Sequence, residues 1–283
     1  MRRLLPLALL PVLLLAACAQ PASPGATGQG GARTNYRPDE VVLRIEHLGG
    51  FVPAQTLAAR LPVVTVYGDG RVITEGPVIA IYPGPALPNI LERRISAADM
   101  NRLVTMAVDA GVGADIDYGT PWVTDVPDTK FTVSTTDGVL TSTVYALDMD
   151  EGLTAAQIAA RQKLRDLRDA LTDLPGTLGA DAAGEERPYE PVALAAVTSP
   201  YVDPDDGLDQ PEIAWPGPAL PGEPLGSLPD LRCVTVSGDD LAAVLEAAAG
   251  ATTLTPWVWE GERWFVTFRP LLPEESTCAD LYE

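Results

Sequence analysis

The chain has 283 residues, 46% of them apolar, with 39 acidic against 19 basic side chains and a net charge of −20. Such an acid excess excludes nucleic acid, which needs a basic footprint, and works against adsorption to anionic lipid headgroups. The apolar share is enough for one large core or two smaller ones, and it excludes overall disorder.

Arg2 and Arg3 open the chain, followed by an apolar run from Leu4 to Leu15 and then by Ala16, Ala17 and Cys18. The run falls short of the roughly 20 residues that a membrane-spanning helix needs, and Pro6 and Pro11 interrupt any continuous helix. Leu15-Ala16-Ala17-Cys18 resembles a bacterial lipobox. The resemblance implies cleavage behind Ala17, a diacylglyceryl group in thioether linkage on Cys18, and residence at the outer face of the plasma membrane. A plain secretory signal and an uncleaved anchor are the competing readings; the cysteine directly behind the cleavage site argues against the first, and the short, proline-interrupted run against the second. Loss of residues 1–17 removes Arg2 and Arg3 from the 19 basic residues, leaving 17 against 39 acidic ones and a charge of −22 with His47 neutral. The lipid is then the expected contact with the membrane.

Residues 18–38 are rich in Gly, Pro and small polar residues and read as a flexible linker. The Gly-x-Gly-Gly inside it follows no strand, so a phosphate loop is not expected. Strands are expected at Val41–Glu46, Val63–Tyr67 and Arg71–Thr74, the last two joined through Asp69-Gly70 as a hairpin. The apolar run Val78–Tyr82 reads as a further strand, stopped by Pro83-Gly84-Pro85. Ser96 is a good helix N-cap, and Met100, Leu103, Val104 and Ala107 share one helical face up to Gly111.

Strands are expected again at Lys130–Thr135 and Leu140–Leu147, turned by Asp137-Gly138. A helix from Thr154 to Asp173 carries a Thr154/Gln157 capping box and leucines at helical spacing. These elements make a first lobe of residues 39–174. Residues 175–190 read as a linker and 191–283 as a second lobe, with strands at Val192–Val197, Arg232–Val236, Trp257–Trp259 and Arg263–Arg269 and a helix at Asp239–Ala249.

Tyr82-Pro-Gly-Pro-Ala-Leu-Pro88 recurs as Trp215-Pro-Gly-Pro-Ala-Leu-Pro221, and Thr-Pro-Trp-Val stands at both 120–123 and 255–258. The echo reads as two diverged copies of a strand-helix-strand unit. The expected class is α+β: antiparallel sheets with helices on one face. With Cys18 lipidated, Cys233 and Cys278 are an even pair in an oxidising compartment and are expected to form one disulfide.

Candidate sites are few. His47, the sole histidine, has no nucleophile or metal pattern around it and reads as structural. Asp203, Asp205, Asp206 and Asp209 surround a turn glycine as weak Ca²⁺ candidates; Pro204 and the missing final glutamate argue for a solvated turn instead. Asp115, Asp117, Tyr118, Trp122 and Asp125 combine aromatic faces with carboxylates, a mixture suited to sugar rings or cationic peptides, although helix capping, turn chemistry and a core Trp122 explain the same residues and are the favoured reading. Two such carboxylates also serve glycosidic acid–base chemistry. No catalytic residue, cofactor or metal is expected.

Several stretches, Gly49-Gly50-Phe51-Val52, Tyr67–Ile73, Tyr82–Asn89, Tyr118–Pro121 and Arg269–Glu274, resemble an uncharacterised group of actinobacterial secreted lipoproteins. The resemblance transfers no functional residue except Cys18. The leading expectation is therefore a non-enzymatic, lipid-tethered module that binds a cell-envelope ligand or a protein partner. A carboxylate-dependent hydrolase of wall glycans and a secreted enzyme inhibitor, with Tyr82–Asn89 as its rigid loop, are the alternatives.

Overall fold

The computed structural model describes residues 31, 33, 35–226 and 231–282. The lipobox with Cys18, the signal segment and most of the 18–38 linker lie outside the described residues.

The fold is α+β, built on two sheets. The first has seven antiparallel strands in the order β6-β5-β1-β2-β3-β4-β7: β1 Val41–Leu48, β2 Val64–Tyr67, β3 Arg71–Glu75, β4 Ile90–Arg94, β5 Asp128–Thr135, β6 Gly138–Tyr145 and β7 Arg187–Pro188. Helices α2 (Ala97–Asp109) and α3 (Ala155–Thr172) cover one face, where Leu103, Val104, Leu164 and Leu171 meet Val42, Val66 and Val133. Ser96 Oγ accepts the N–H of Asp99, and Thr154 and Gln157 close the capping box, so both helices start where their caps place them.

The hairpin at Asp69-Gly70 forms as expected. Gly70 has φ +85°, and a Cβ there would fall 2.3 Å from the Ile95 carbonyl oxygen, so both conformation and close approach call for glycine. The strand expected at Val78–Tyr82 is absent. Residues 77–89 form a loop instead, and β4 takes the place beside β3. Its charged residues are accommodated by pairing: buried Glu92 accepts from Arg187 of β7 at 2.6 Å. Apolar content alone suited 78–82 to a strand, but Pro77 and the Pro-Gly-Pro that follows favour a loop. Residues 175–190, read as a linker, carry the short helix α4 (Leu174–Leu178) and β7, which completes the first sheet.

The second sheet runs β10-β11-β8-β13-β12-β9, with β8 Ala193–Pro200, β9 Ile213–Ala214, β10 Glu223–Pro224, β11 Arg232–Ser237, β12 Trp257–Trp259 and β13 Glu262–Pro270. All neighbours are antiparallel except β9 and β12. Helix α5 (Asp239–Ala249) packs on one face over Trp215, Trp257 and Phe268. The opposite face is covered by Ala58 of α1 (Ala54–Ala58) and by Leu271, and Cys233 of β11 is disulfide-bonded to Cys278.

The two echoed segments have unlike environments. Tyr82 is 66% exposed where Trp215 is 4%, and Trp122 is 84% exposed where Trp257 is fully buried. A strand, a helix and a hairpin follow each other in both halves. In the first half, however, the leading hairpin strand β5 joins β1, whereas in the second the trailing strand β13 joins β8.

The halves interlock. Ala86 donates to the Ala251 carbonyl and sits in the second core, while Leu272 packs against Tyr67, Ile73 and Ile90 of the first sheet. Glu274 accepts from the Tyr67 hydroxyl at 2.7 Å and also pairs with Arg44.

Candidate functional site

The residues singled out between 115 and 125 lie at one end of the first sheet, beyond the start of β5 and the end of β1. Three loops meet there: 49–52, 115–127 and 146–153. The Phe51 N–H donates to the Asp125 carbonyl (3.1 Å), Trp122 to Glu151 (3.2 Å) and Ala146 to Pro127 (3.1 Å), while the Tyr145 hydroxyl donates to the Val123 carbonyl (2.9 Å). Backbone pairing thus joins loops that no strand ladder reaches.

Arg161 of α3 anchors this end from below. It is fully buried, and its guanidinium donates to the carbonyls of Tyr118, Ala146 and Tyr145 at 2.8 Å and of Gly119 at 3.2 Å. Burial lowers its pKa, with the charges of Asp150 and Asp148 opposing that shift. A planar fork of donors suits four carbonyls converging from two loops. On sequence alone Arg161 reads as one more polar residue of a helix; its role depends on loops distant in the chain.

The five residues divide by what their side chains already do. Tyr118 is buried, its hydroxyl directed to the Gly111 carbonyl, and burial raises its phenol. Asp117 accepts from the Gly119 N–H (2.8 Å) and from the Gln157 side chain (2.9 Å), and these bonds hold its carboxyl below the usual range. It is a structural acceptor and is poorly suited to act as a general acid. Asp115 is exposed, and Asp125 stands at φ +67° with its carboxylate accepting from the Thr124 hydroxyl.

Trp122 is the free element. Its indole lies against Gly152 so closely that a Cβ there would come within 2.6 Å of the ring, and 84% of the residue stays in solvent. Phe51, 86% exposed, stands on the adjoining loop. An indole supported on a glycine is a platform for the flat face of a sugar or for a cation. Asp125 and Glu151 are backbone partners of Phe51 and Trp122, so two acidic residues belong to the same loop cluster.

The N-terminal arm meets the sheet at its other end. Thr136, in the β5–β6 turn, donates to the Gly31 carbonyl, and the Tyr36 hydroxyl donates to the carbonyl of Ser134. The eight residues of β5 separate that turn from the aromatic end, about 25 Å at the rise of a strand.

Other sequence candidates are placed elsewhere. His47 is half-buried at the end of β1, 3.3 Å from the Thr129 hydroxyl, its pKa lowered by burial and by Arg60. Asp203 and Asp206 accept backbone N–H bonds two residues ahead, as turn residues do, and Asp206 also accepts from the Tyr82 hydroxyl at 2.9 Å. Among the described residues no three His, Cys, Asp or Glu side chains converge as a metal site. Of the loop Tyr82–Asn89, Ala86 is buried, while the preceding residues Val78–Tyr82 stand exposed. A groove of about 520 Å³ lies beside that loop, and its lining carries one carboxylate, Glu75, an exposed residue whose pKa is raised by partial desolvation against the groove.

No protein-family model, curated protein or solved structure matches the chain.

Proposed function

We propose that the protein is a lipid-tethered, extracytoplasmic binding module that recognises cell-envelope glycan through the Trp122 platform. The observation that carries this reading is the presence of two highly exposed aromatics, Phe51 and Trp122, on adjoining loops tied by the Phe51–Asp125 backbone bond, the Trp122 loop itself being braced by Arg161. Exposed aromatics otherwise cost solubility, and loops this heavily hydrogen-bonded do not shed them by relaxing inward.

The tether supports the same reading. Between Cys18 and Gly31 the sequence is rich in Gly, Ala and Pro, and its length allows a reach of at most about 45 Å. It enters at the β5–β6 turn, which leaves the aromatic end directed away from a membrane that holds Cys18. A body of charge −22 has no basic footprint with which to lie on anionic lipid, and nucleic acid is equally disfavoured as a partner.

The test is sedimentation of the Cys18→Ser protein with purified peptidoglycan and wall polysaccharide, compared with Trp122→Ala. The reading requires saturable binding that falls at least about tenfold in the variant, the scale of one lost aromatic stacking contact. Binding that is absent, or unchanged in Trp122→Ala, overturns it.

A further inference from the structure

The loop 77–89 leaves the first sheet with its base closed twice: Gly76 donates to the Asn89 carbonyl at 2.8 Å, and the Asn89 side chain to the Pro77 carbonyl at 2.9 Å. Its second limb is sewn to the other half of the molecule, where Thr253 donates to the Gly84 carbonyl (2.9 Å) and Ala86 to the Ala251 carbonyl (3.1 Å). The first limb is thereby held out in solvent. Val78, Ile79, Ile81 and Tyr82 are each more than half exposed, a concentration of apolar surface that marks an interaction site when it is contiguous.

The groove alongside has an apolar floor that includes Leu61, Ala86 and Phe268. Of its charged groups, Arg60 is committed to the carbonyls of His47 and Gly49. Among the described residues no hydrogen-bond donor reaches the Glu75 carboxylate. At the far end of the limb, Tyr82 bonds Asp206, within a loop that also carries Asp203, Asp205 and Asp209 and the exposed Val202 and Leu208. The apolar limb therefore has a carboxylate at each end, Glu75 just before it and Asp206 on Tyr82.

We propose that this limb and its groove bind an extended, apolar and basic segment of a second protein. Alternating side chains of an extended strand place apolar groups on Val78 and Ile79 and cations towards Glu75 and Asp206. An anionic bilayer is repelled by the same carboxylates, and a symmetric second copy sets the acidic rim against itself. The groove and the Trp122 loops lie at the same end of the first sheet, where Arg60 lines the groove and bonds the Gly49 carbonyl, but the two surfaces differ in ligand class, so this site extends the function proposed above and does not rest on it.

The experiment titrates the full chain, carrying Cys18→Ser to keep it in solution, into a labelled peptide of alternating valine and lysine, read by fluorescence anisotropy. A valine–glutamate peptide and phosphatidylcholine vesicles are run alongside, with sedimentation velocity of the protein alone. Saturable binding of the lysine peptide is expected, weakened about tenfold by Val78→Ser with Ile79→Ser and about threefold by Glu75→Gln, and unaltered by Trp122→Ala. These side chains are exposed, so circular dichroism should show both variants folded. Equal binding of the glutamate peptide, unchanged binding by the Val78/Ile79 variant, preferential binding to vesicles, or self-association through this face overturns the proposal.

Discussion

Nε of Arg161 donates to the carbonyl of Tyr118 at 2.8 Å although neither residue exposes as much as a tenth of its surface. The same guanidinium reaches three further carbonyls, so a buried cation is solvated by peptide oxygens in place of water. Removing it orphans those acceptors in an apolar surrounding. Arg161→Met should therefore cost about 3–5 kcal/mol in urea unfolding. Arg161→Lys should recover only part of this, because an ammonium cannot span both loops as the planar fork does.

The second prediction concerns the platform itself. Gly152 has φ +80°, and its Cα side faces the Trp122 ring. Gly152→Ala adds strain of about 1–2 kcal/mol and a methyl where the indole lies. The ring must move, so glycan binding and the Trp122 contribution to fluorescence should change well before the melting transition does. Unaltered emission and binding in the Gly152→Ala variant would show that the indole is not seated on this glycine.

Periodic and capped elements were legible in the residues. Thr154 with Gln157 and Ser96 with Asp99 start helices because a cap is satisfied within one turn, and Asp-Gly closes both hairpins for an equally local reason. What depends on distant partners was not legible. Ile90–Arg94 is strongly charged, yet it is a strand because Glu92 meets Arg187 ninety-five residues away. Val78–Tyr82 is apolar, yet it has no place in a sheet whose neighbouring position is taken. Trp122 and Trp257 follow the same Thr-Pro dipeptide and end in opposite environments, which local sequence does not distinguish.

Cys233 and Cys278 lie 45 residues apart, and their bond fastens the segment that brings Glu274 to Tyr67 and Arg44. Closing a loop of that length restricts the unfolded chain by about 4 kcal/mol. Reduction, or Cys233→Ala with Cys278→Ala, should lower stability by up to that amount. Hydrogen exchange should rise first in residues 271–282 and next in β2 where Leu272 packs. Uniform exchange across both sheets would mean that the C-terminal segment does not join them.

His47 supplies a pH dependence whose sign is fixed by its surroundings. Burial is the larger cause of its lowered pKa and Arg60 adds to it. The folded protein thus binds fewer protons than the unfolded chain, whose histidine titrates near pH ~6.5. Stability should be level above that value and fall as pH drops below it, before carboxylates such as Asp280, held low by the Ser276 and Thr277 N–H groups, begin to protonate. His47→Gln should flatten the slope between about pH 5 and 6.5 while leaving the steeper loss at lower pH. A slope of the same size in the variant would assign it to other groups.

The tether makes the last prediction. If Cys18 carries the diacylglyceryl group, attachment depends on that one sulfur, because Cys233 and Cys278 are bonded to each other and the body carries a large excess of negative charge. Wild-type protein should enter the detergent phase on Triton X-114 partition and resist washing with salt, since counter-ions do not screen acyl-chain burial. Cys18→Ser should enter the aqueous phase and be recovered from the medium as a folded protein whose glycan binding is intact. Retention of the Cys18→Ser protein in the membrane fraction would place the anchor elsewhere. It would also remove the argument that the Trp122 end is turned outward, because that orientation is inferred from a tether entering at Gly31.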